Sequence, residues 1–107
     1  DSLLKTLSWR MARMLRGADS VARLGGDEIG VVLASCSTVA QARQIAERLL
    51  EAITAPVVID GLSLQCGASI GIAMYPDHAP DADSLVRAAD QAMYVAKRDP
   101  GMSIAVA

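Results

Sequence analysis

Two glycines and two carboxylates stand side by side at Gly25, Gly26, Asp27 and Glu28, between two short apolar runs. Glycine tolerates positive φ and leaves backbone N–H groups open to a phosphate. Adjacent carboxylates repel each other unless a cation or a proton relieves them, and a hard ion such as Mg²⁺ prefers oxygen ligands of this kind. The same residue types also form ordinary hairpin tips whose acids face water. Taken alone, these four residues are therefore compatible with two interpretations, a site that binds phosphate and metal or an ordinary hairpin turn.

The flanking runs predict a β-hairpin that presents these four residues at its turn. Residues 19–24 and 29–34 have the apolar and β-branched composition of strands, and a glycine pair is a hairpin signal. A second hairpin is predicted at Asp60-Gly61, between strands at 57–59 and 62–74. Residues 75–81, with two prolines, are predicted to be loop, and residues 102–106 a last strand.

Apolar side chains at helical spacing predict three helices, over residues 2–15, 39–54 and 83–97. A hydroxyl in residues 35–38 suits the N-cap of the second helix, Pro56 marks its end, and Asp81 or Asp83 suits the N-cap of the third. The inward side chains of these two helices are expected to be Val39, Ala42, Ile45, Ala46, Leu49, Leu50, Ile53, Leu85, Val86, Ala89, Ala92, Met93 and Ala96.

The predicted order of helix, hairpin, helix, hairpin, helix and strand indicates an α+β fold, with helices packed on an antiparallel-rich sheet. The 107 residues suffice for one domain and one core. A net charge of -2 argues against a nucleic-acid partner, which would select a basic face. No apolar run reaches the roughly 18 residues of a membrane span, and Cys36 and Cys66 lack a metal spacing, so we expect reduced thiols and a cytoplasmic chain.

Several segments together resemble the GGDEF family of bacterial diguanylate cyclases, in the family's order and over nearly the whole chain. These segments are Arg16-Gly17-Ala18-Asp19, Ala22-Arg23-Leu24-Gly25-Gly26-Asp27-Glu28-Ile29, Ala68-Ser69-Ile70-Gly71-Ile72-Ala73, Tyr75-Pro76 and Ala89-Asp90-Gln91-Ala92-Met93-Tyr94-Val95-Ala96-Lys97. The resemblance implies a palm-like fold similar to nucleotidyl cyclases and ferredoxins. It also implies condensation of two GTP molecules into cyclic di-GMP with Mg²⁺ or Mn²⁺, in a homodimer that holds one GTP in each protomer.

The resemblance implies roles for the residues of the glycine and acid motif. Gly25 and Gly26 would let the backbone approach GTP, Asp27 would bind the metal and help to deprotonate the attacking 3′-hydroxyl, and Glu28 would support the metal site. Lys97 would bind the triphosphate. A solvated cation in the last turn of a helix is an equally good interpretation of Lys97.

The resemblance also implies a product-binding inhibitory site at Arg16, Asp19 and Arg48. Guanidinium groups pair with phosphates and with the guanine edge, and an aspartate accepts from guanine N–H groups. The alternative is that Arg16 complements a helix end, Asp19 stabilises a turn and Arg48 faces solvent. His78 is assigned no function.

Three departures from the family pattern limit the catalytic interpretation. Ile29 replaces the phenylalanine of the motif, and Asp99-Pro100-Gly101-Met102 stands where the family usually has Gly-Arg-Asn. The family's N-terminal strand and helix, which carry another metal ligand and the residues that recognise guanine, are expected to be missing before Asp1. We therefore expect cyclase activity of the parent protein and none of these 107 residues alone.

The alternative hypotheses are a degenerate module, which binds GTP or cyclic di-GMP and regulates a partner such as a phosphodiesterase domain, and a purely dimerising domain. Sensor domains in the same parent chain, and membrane anchoring through them, are compatible with both the cyclase and the module.

Overall fold

The structure is a computed structural model that describes residues 2–15, 20–25, 28–33 and 36–107. Contacts between α-carbons divide the chain into two compact units, Asp1–Cys36 with Glu51–Gly67, and Ser37–Leu50 with Ala68–Ala107. The elements in chain order are α1 (Ser2–Met14), β1 (Ser20–Gly25), β2 (Glu28–Val32), α2 (Val39–Thr54), β3 (Val57–Ile59), β4 (Leu62–Leu64), β5 (Ile70–Ile72), α3 (Ala82–Arg98) and β6 (Ile104–Val106). These helices and small sheets confirm the α+β class; the assignment of all 107 residues to one domain stays a prediction.

The first unit contains α1 and two antiparallel hairpins, β1–β2 and β3–β4. Helix α1 contacts β1 and β3, and the buried apolar side chains of this unit include Leu7, Met11 and Val57. The β3–β4 turn has positive φ at both central residues, 52° at Asp60 and 78° at Gly61. Two positive φ values define the turn whose twist matches that of paired strands, so the hairpin predicted from Asp60-Gly61 is confirmed.

Arg10 connects α1 to the chain that leaves α2. Its Nη1 donates to the carbonyl oxygens of Ala52 and Ala55, at 3.2 and 3.0 Å, and its Nη2 donates to that of Pro56 at 3.0 Å. The last carbonyls of a helix have no partner within the helix and carry partial negative charge. Arg10 satisfies these acceptors and ties the two segments together within the first unit.

The second unit is built on a parallel pair, in which Ile70, Gly71 and Ile72 of β5 lie beside Ile104, Ala105 and Val106 of β6. Helix α3 contacts both strands, and Ala92, Ala96 and Ala105 form a buried cluster. A Cβ at Gly71 would collide with the carbonyl oxygen of Ala89 and the backbone nitrogen of Met93. Small side chains thus let the α3 backbone approach β5 directly.

Both long helices begin with side-chain caps. At α2, the Thr38 hydroxyl accepts from the Gln41 N–H at 3.1 Å, and Gln41 Oε1 accepts from the Thr38 N–H at 3.3 Å, which is a capping box. At α3, Asp81 Oδ1 accepts from the Ser84 N–H at 2.8 Å. Thr38 and Asp81 confirm the predicted hydroxyl cap and one of the two predicted acidic caps.

Some predictions were wrong in detail. The strand expected over residues 62–74 is two strands, β4 and β5, which pair with different partners, and the β5–β6 pair is parallel. Val39 and Val86, expected to face inward, are 36% and 52% exposed. Both lie in the first or second turn of their helices, where fewer neighbours are available to cover a side chain.

Candidate functional site

The glycine and acid motif lies at the connection of the β1–β2 hairpin. Gly25 is the last residue of β1, Glu28 is the first residue of β2, and the two are direct partners in the antiparallel register. Two residues, Gly26 and Asp27, separate them along the chain and lie outside the described residues. The hairpin predicted from the sequence is therefore confirmed, and its paired ends fall within the motif itself.

A β-bulge precedes the motif. Arg23 pairs with Ile29 and Gly25 pairs with Glu28, so β1 has one additional residue, Leu24, between these pairs. A bulge bends its strand and increases the local twist, and bulges are frequent beside active sites because they redirect the chain. The bulge therefore bends β1 directly beside the motif.

The other predicted site residues fall into two groups. Arg16 and Asp19 of the predicted inhibitory site lie outside the described residues. Arg48 is exposed on α2 and Lys97 is exposed in the last turn of α3. Neither cation forms an ion pair or a hydrogen bond with the part of the chain that the structure describes. Among the predicted site residues, the structure places only Gly25 and Glu28 in direct register.

The chain after Lys97 is fixed by Asp99. The Asp99 N–H donates to the Ala96 carbonyl at 3.2 Å, its carbonyl accepts from the Met102 N–H at 3.0 Å, and its Oδ1 accepts from the Gly101 N–H at 3.0 Å. These bonds close a tight turn through Pro100 between α3 and β6. The segment Asp99-Pro100-Gly101-Met102, which departs from the family pattern, is therefore a hydrogen-bonded turn. The carboxylate of Asp99 accepts a hydrogen bond from the backbone of this same turn.

The motif supplies hard oxygen donors for a divalent ion. Asp27 and Glu28 are adjacent carboxylates, the ligand type that suits Mg²⁺ or Mn²⁺. Within residues 2–15, 20–25, 28–33 and 36–107, no group of three or more His, Cys, Asp or Glu side chains is arranged to hold a metal ion. The assignment of Asp27 and Glu28 as metal ligands stays a prediction.

Two roles were missed by the sequence analysis, and His78, which it assigned no function, has a hydrogen bond within its loop. Gly71 permits the close approach of α3, and the only signal for it was a glycine inside a strand pattern. Arg10 satisfies the end of α2, which no local pattern indicates. His78 Nδ1 accepts from the Met74 N–H at 2.8 Å, which gives this side chain a place in the loop that begins at Met74.

No helix in the described part of the chain is long and apolar enough to cross a membrane.

Comparison with protein families gives a match over residues 1–103 to the family described as diguanylate cyclase, GGDEF domain. Among curated relatives, diguanylate cyclase TpbB of Pseudomonas aeruginosa is 42% identical over 99 residues, which cover 92% of this chain and 23% of that protein. The bifunctional diguanylate cyclase/cyclic di-GMP phosphodiesterase MucR of the same species is 40% identical over 97 residues, 91% of this chain and 14% of MucR. The chain thus spans less than a quarter of the length of these relatives.

Solved structures give the same picture. The crystal structure of the GGDEF domain of TpbB, also called YfiN, matches with a TM-score of 0.92 and 40% identity, over 100% of this chain and 67% of the other. A sensory box/GGDEF family protein from Caulobacter crescentus matches with a TM-score of 0.82 and 40% identity, over 90% of this chain and 62% of the other.

Proposed function

The chain belongs to the GGDEF family, whose members act in bacterial cyclic di-GMP signalling, and we propose that the protein carrying it condenses two GTP molecules into cyclic di-GMP. The observation that carries this proposal is the position of Gly25-Gly26-Asp27-Glu28 at the paired ends of a hairpin, within a chain that matches the family over residues 1–103. Two exposed cations, Lys97 and Arg48, are consistent with an anionic substrate and product.

Each half of the reaction joins the 3′-hydroxyl oxygen of one GTP to the α-phosphorus of the other. The bond from that phosphorus to pyrophosphate breaks, and the proton of the hydroxyl passes to a base. In this chain Asp27 would accept or orient that proton, the Gly25 and Gly26 backbone would admit the phosphates, and Lys97 would pair with the triphosphate.

The family generally uses a divalent metal, and we propose Mg²⁺ or Mn²⁺, with Asp27 and Glu28 as the ligands that this chain supplies. Such an ion neutralises charge that develops on the phosphate. We further propose a cytoplasmic active site, a homodimer with one GTP in each protomer, and product binding at Arg16, Asp19 and Arg48.

The test is incubation of the full-length protein with GTP and Mg²⁺, followed by chromatographic measurement of cyclic di-GMP and pyrophosphate. Asp27→Asn should lower the rate by roughly 100-fold or more, because it removes a metal ligand and a proton acceptor together. Glu47→Gln, an exposed position on α2, is the matched control and should leave the rate unchanged. No product from the wild-type protein at high concentration would refute the proposal.

A second candidate is a non-catalytic module that binds GTP or cyclic di-GMP and regulates a partner domain. The Asp99-Pro100-Gly101 turn supports it, because it stands where the family usually has an arginine. Relatives named as cyclic di-GMP phosphodiesterases also match this chain over 97 residues, NbdA of P. aeruginosa at 35% identity and PdeR of Escherichia coli at 36%. Calorimetry would distinguish this candidate, since it predicts nucleotide binding without turnover and loss of cyclic di-GMP binding in Arg16→Ala.

A further inference from the structure

A groove in the first unit combines an aromatic ring with positive charge. It is lined by Trp9, Arg10, Arg13, Met14 and Ala52 and has a volume of about 340 Å³. Trp9 is the single tryptophan of the chain and is 61% exposed. A large aromatic side chain left open beside arginine is typical of a binding surface, since both residue types are enriched among the groups that dominate binding energy.

Arg13 is poised to receive an anion. Its guanidinium lies over the Trp9 ring, with Cζ 4.7 Å from the centroid. A stacked guanidinium keeps its N–H edge free, and that edge pairs with phosphate through two parallel hydrogen bonds. With the other described residues Arg13 forms no hydrogen bond or ion pair, and no carboxylate lines the groove. The positive charge of this groove is therefore not compensated within the described part of the chain.

The walls of the groove are held in place before any ligand arrives. Arg10 lies beside Arg13 on α1, and its guanidinium is committed to the carbonyl oxygens of Ala52, Ala55 and Pro56. These bonds fix α1 against the end of α2, where Ala52 also lines the groove. A preformed site loses less conformational entropy when it binds a ligand, because its side chains are already ordered.

The size and position of the groove favour a nucleotide. Its volume lies at the lower end of small-molecule sites, about 300–1,000 Å³, whereas a protein partner would need roughly 800 Å² of surface. Met14 and Ala52 offer apolar contact to a base. In the sequence, Arg13 precedes Arg16 of the proposed product site by three residues.

We propose that this groove is a guanine-nucleotide subsite, in which Arg13 pairs with a phosphate and the Trp9 indole stacks on the base. The inference rests on the proposed function, because that function supplies the nucleotide. It extends the proposed product site by two residues of α1 that precede Arg16.

The test measures dissociation constants of the full-length protein by calorimetry, for cyclic di-GMP and, with magnesium omitted, for GTP. Arg13→Ala and Trp9→Ala should each weaken binding of the preferred nucleotide by about tenfold. Arg13→Lys keeps the charge but loses the planar fork, so we expect a smaller loss. The nucleotide whose affinity falls identifies the natural occupant of the groove.

The matched control is a second arginine and aromatic pair, Arg98 over Tyr94 on α3, with 5.7 Å from the guanidinium carbon to the ring centroid and no part in the lining of the Trp9 groove. Arg98→Ala and Tyr94→Ala should leave the cyclic di-GMP affinity unchanged. Circular dichroism establishes that each variant is folded. Quenching of the fluorescence that disappears in Trp9→Phe gives an independent measure of binding at the groove.

Two failures can be told apart. If the wild-type protein forms and binds cyclic di-GMP but the Arg13 and Trp9 variants bind both nucleotides with unchanged affinity, the groove proposal is wrong and the proposed function stands. If the wild-type protein neither forms cyclic di-GMP nor binds either nucleotide, both proposals are wrong. Equal losses in the Arg13 and Arg98 variants would also refute the groove, since they would indicate a general charge effect.

Discussion

Gly71 is the residue that sets how closely α3 approaches the β5–β6 pair. The atoms that a Cβ would meet are backbone atoms of α3, at Ala89 and Met93. A flexible side chain could rotate away from a new methyl group, but the backbone of a helix moves only if the whole element shifts. Replacing one α-hydrogen of Gly71 by a methyl group is therefore enough to push α3 away from β5.

We predict that Gly71→Ala destabilises the domain by on the order of 1–3 kcal/mol or more, because the helix must move outward and loosen the alanine cluster behind it. The measurement is the urea midpoint of the full-length protein, followed by circular dichroism. Gly67→Ala is the matched control, since nothing lies within 4 Å of a Cβ built there and its φ is not positive. Equal midpoints for the two variants would contradict the close contact.

At the scale of elements, α3 depends on its N-cap. The Asp81 carboxylate accepts from the Ser84 hydroxyl at 2.6 Å and from the Ser84 N–H at 2.8 Å. These hydrogen bonds, the hydroxyl first, hold the pKa of Asp81 below its ordinary value of 3.8. A carboxyl whose pKa is lower in the folded state than in the unfolded state stabilises the fold in its charged form. This stabilisation has its full size above the unfolded-state pKa and is lost as the pH falls through the folded-state pKa.

We therefore predict that Asp81→Ala lowers the thermal midpoint by a few degrees at neutral pH, because α3 loses its cap. The difference between wild type and variant should shrink as the pH falls below about 4, where the carboxyl is protonated first in the unfolded state and, at lower pH, in the folded state. Asp83→Ala serves as the comparison, since Asp83 lies in the first turn and its side chain makes no hydrogen bond with the described residues. A difference that does not change between pH 7 and pH 3 would exclude this role of the charge.

The helices could be predicted from the sequence because their apolar side chains repeat with the helical period. Helix α2 has the predicted bounds, and α1 and α3 differ by one residue at their ends. The prediction of one strand over residues 62–74 was wrong because amino-acid composition does not show which strands pair with each other. β4 pairs with the adjacent β3, whereas β5 pairs with residues 104–106 at the other end of the unit. Pairing at that separation depends on the packing of α3, which no local pattern carries.

The candidate site was predictable to a similar extent. The hairpin under the motif follows from its glycines and its flanking strands. The bulge at Leu24 does not follow from the sequence, because it depends on which residues of β1 and β2 pair with each other. The cap that Arg10 provides for α2 and the stacking of Arg13 on Trp9 likewise arise from tertiary contacts or rotamers, which no local sequence pattern indicates.

At the scale of the whole molecule, the proposed reaction needs two GTP molecules facing each other. Each supplies the hydroxyl that attacks the other, so two protomers related by a two-fold axis would present identical halves of one site. We predict that the specific activity of the full-length protein rises with its concentration, about twofold for each doubling while monomers predominate. Initial rates over a hundredfold dilution series, with molar mass from light scattering, provide the measurement.

Asp27→Asn should stay roughly 100-fold or more below the wild-type rate at every concentration, which separates assembly from chemistry. Constant specific activity in a protein that light scattering shows to be monomeric would contradict the two-protomer reaction.

The extra residue in β1, Leu24, determines whether an odd or an even number of residues connects the two strands of the hairpin that carries the motif. In a regular ladder Leu24 would pair with Glu28, and an odd number of residues, Gly25 to Asp27, would connect the strands. With the bulge, Gly25 takes that pairing and the connection is even, Gly26 and Asp27 alone. Deleting Leu24 would place Gly25 directly after Arg23, so Gly25 would still pair with Glu28 and the connection would keep its two residues. The deletion would remove the bulge, and with it the bend of β1 beside the motif, through a position outside its four residues.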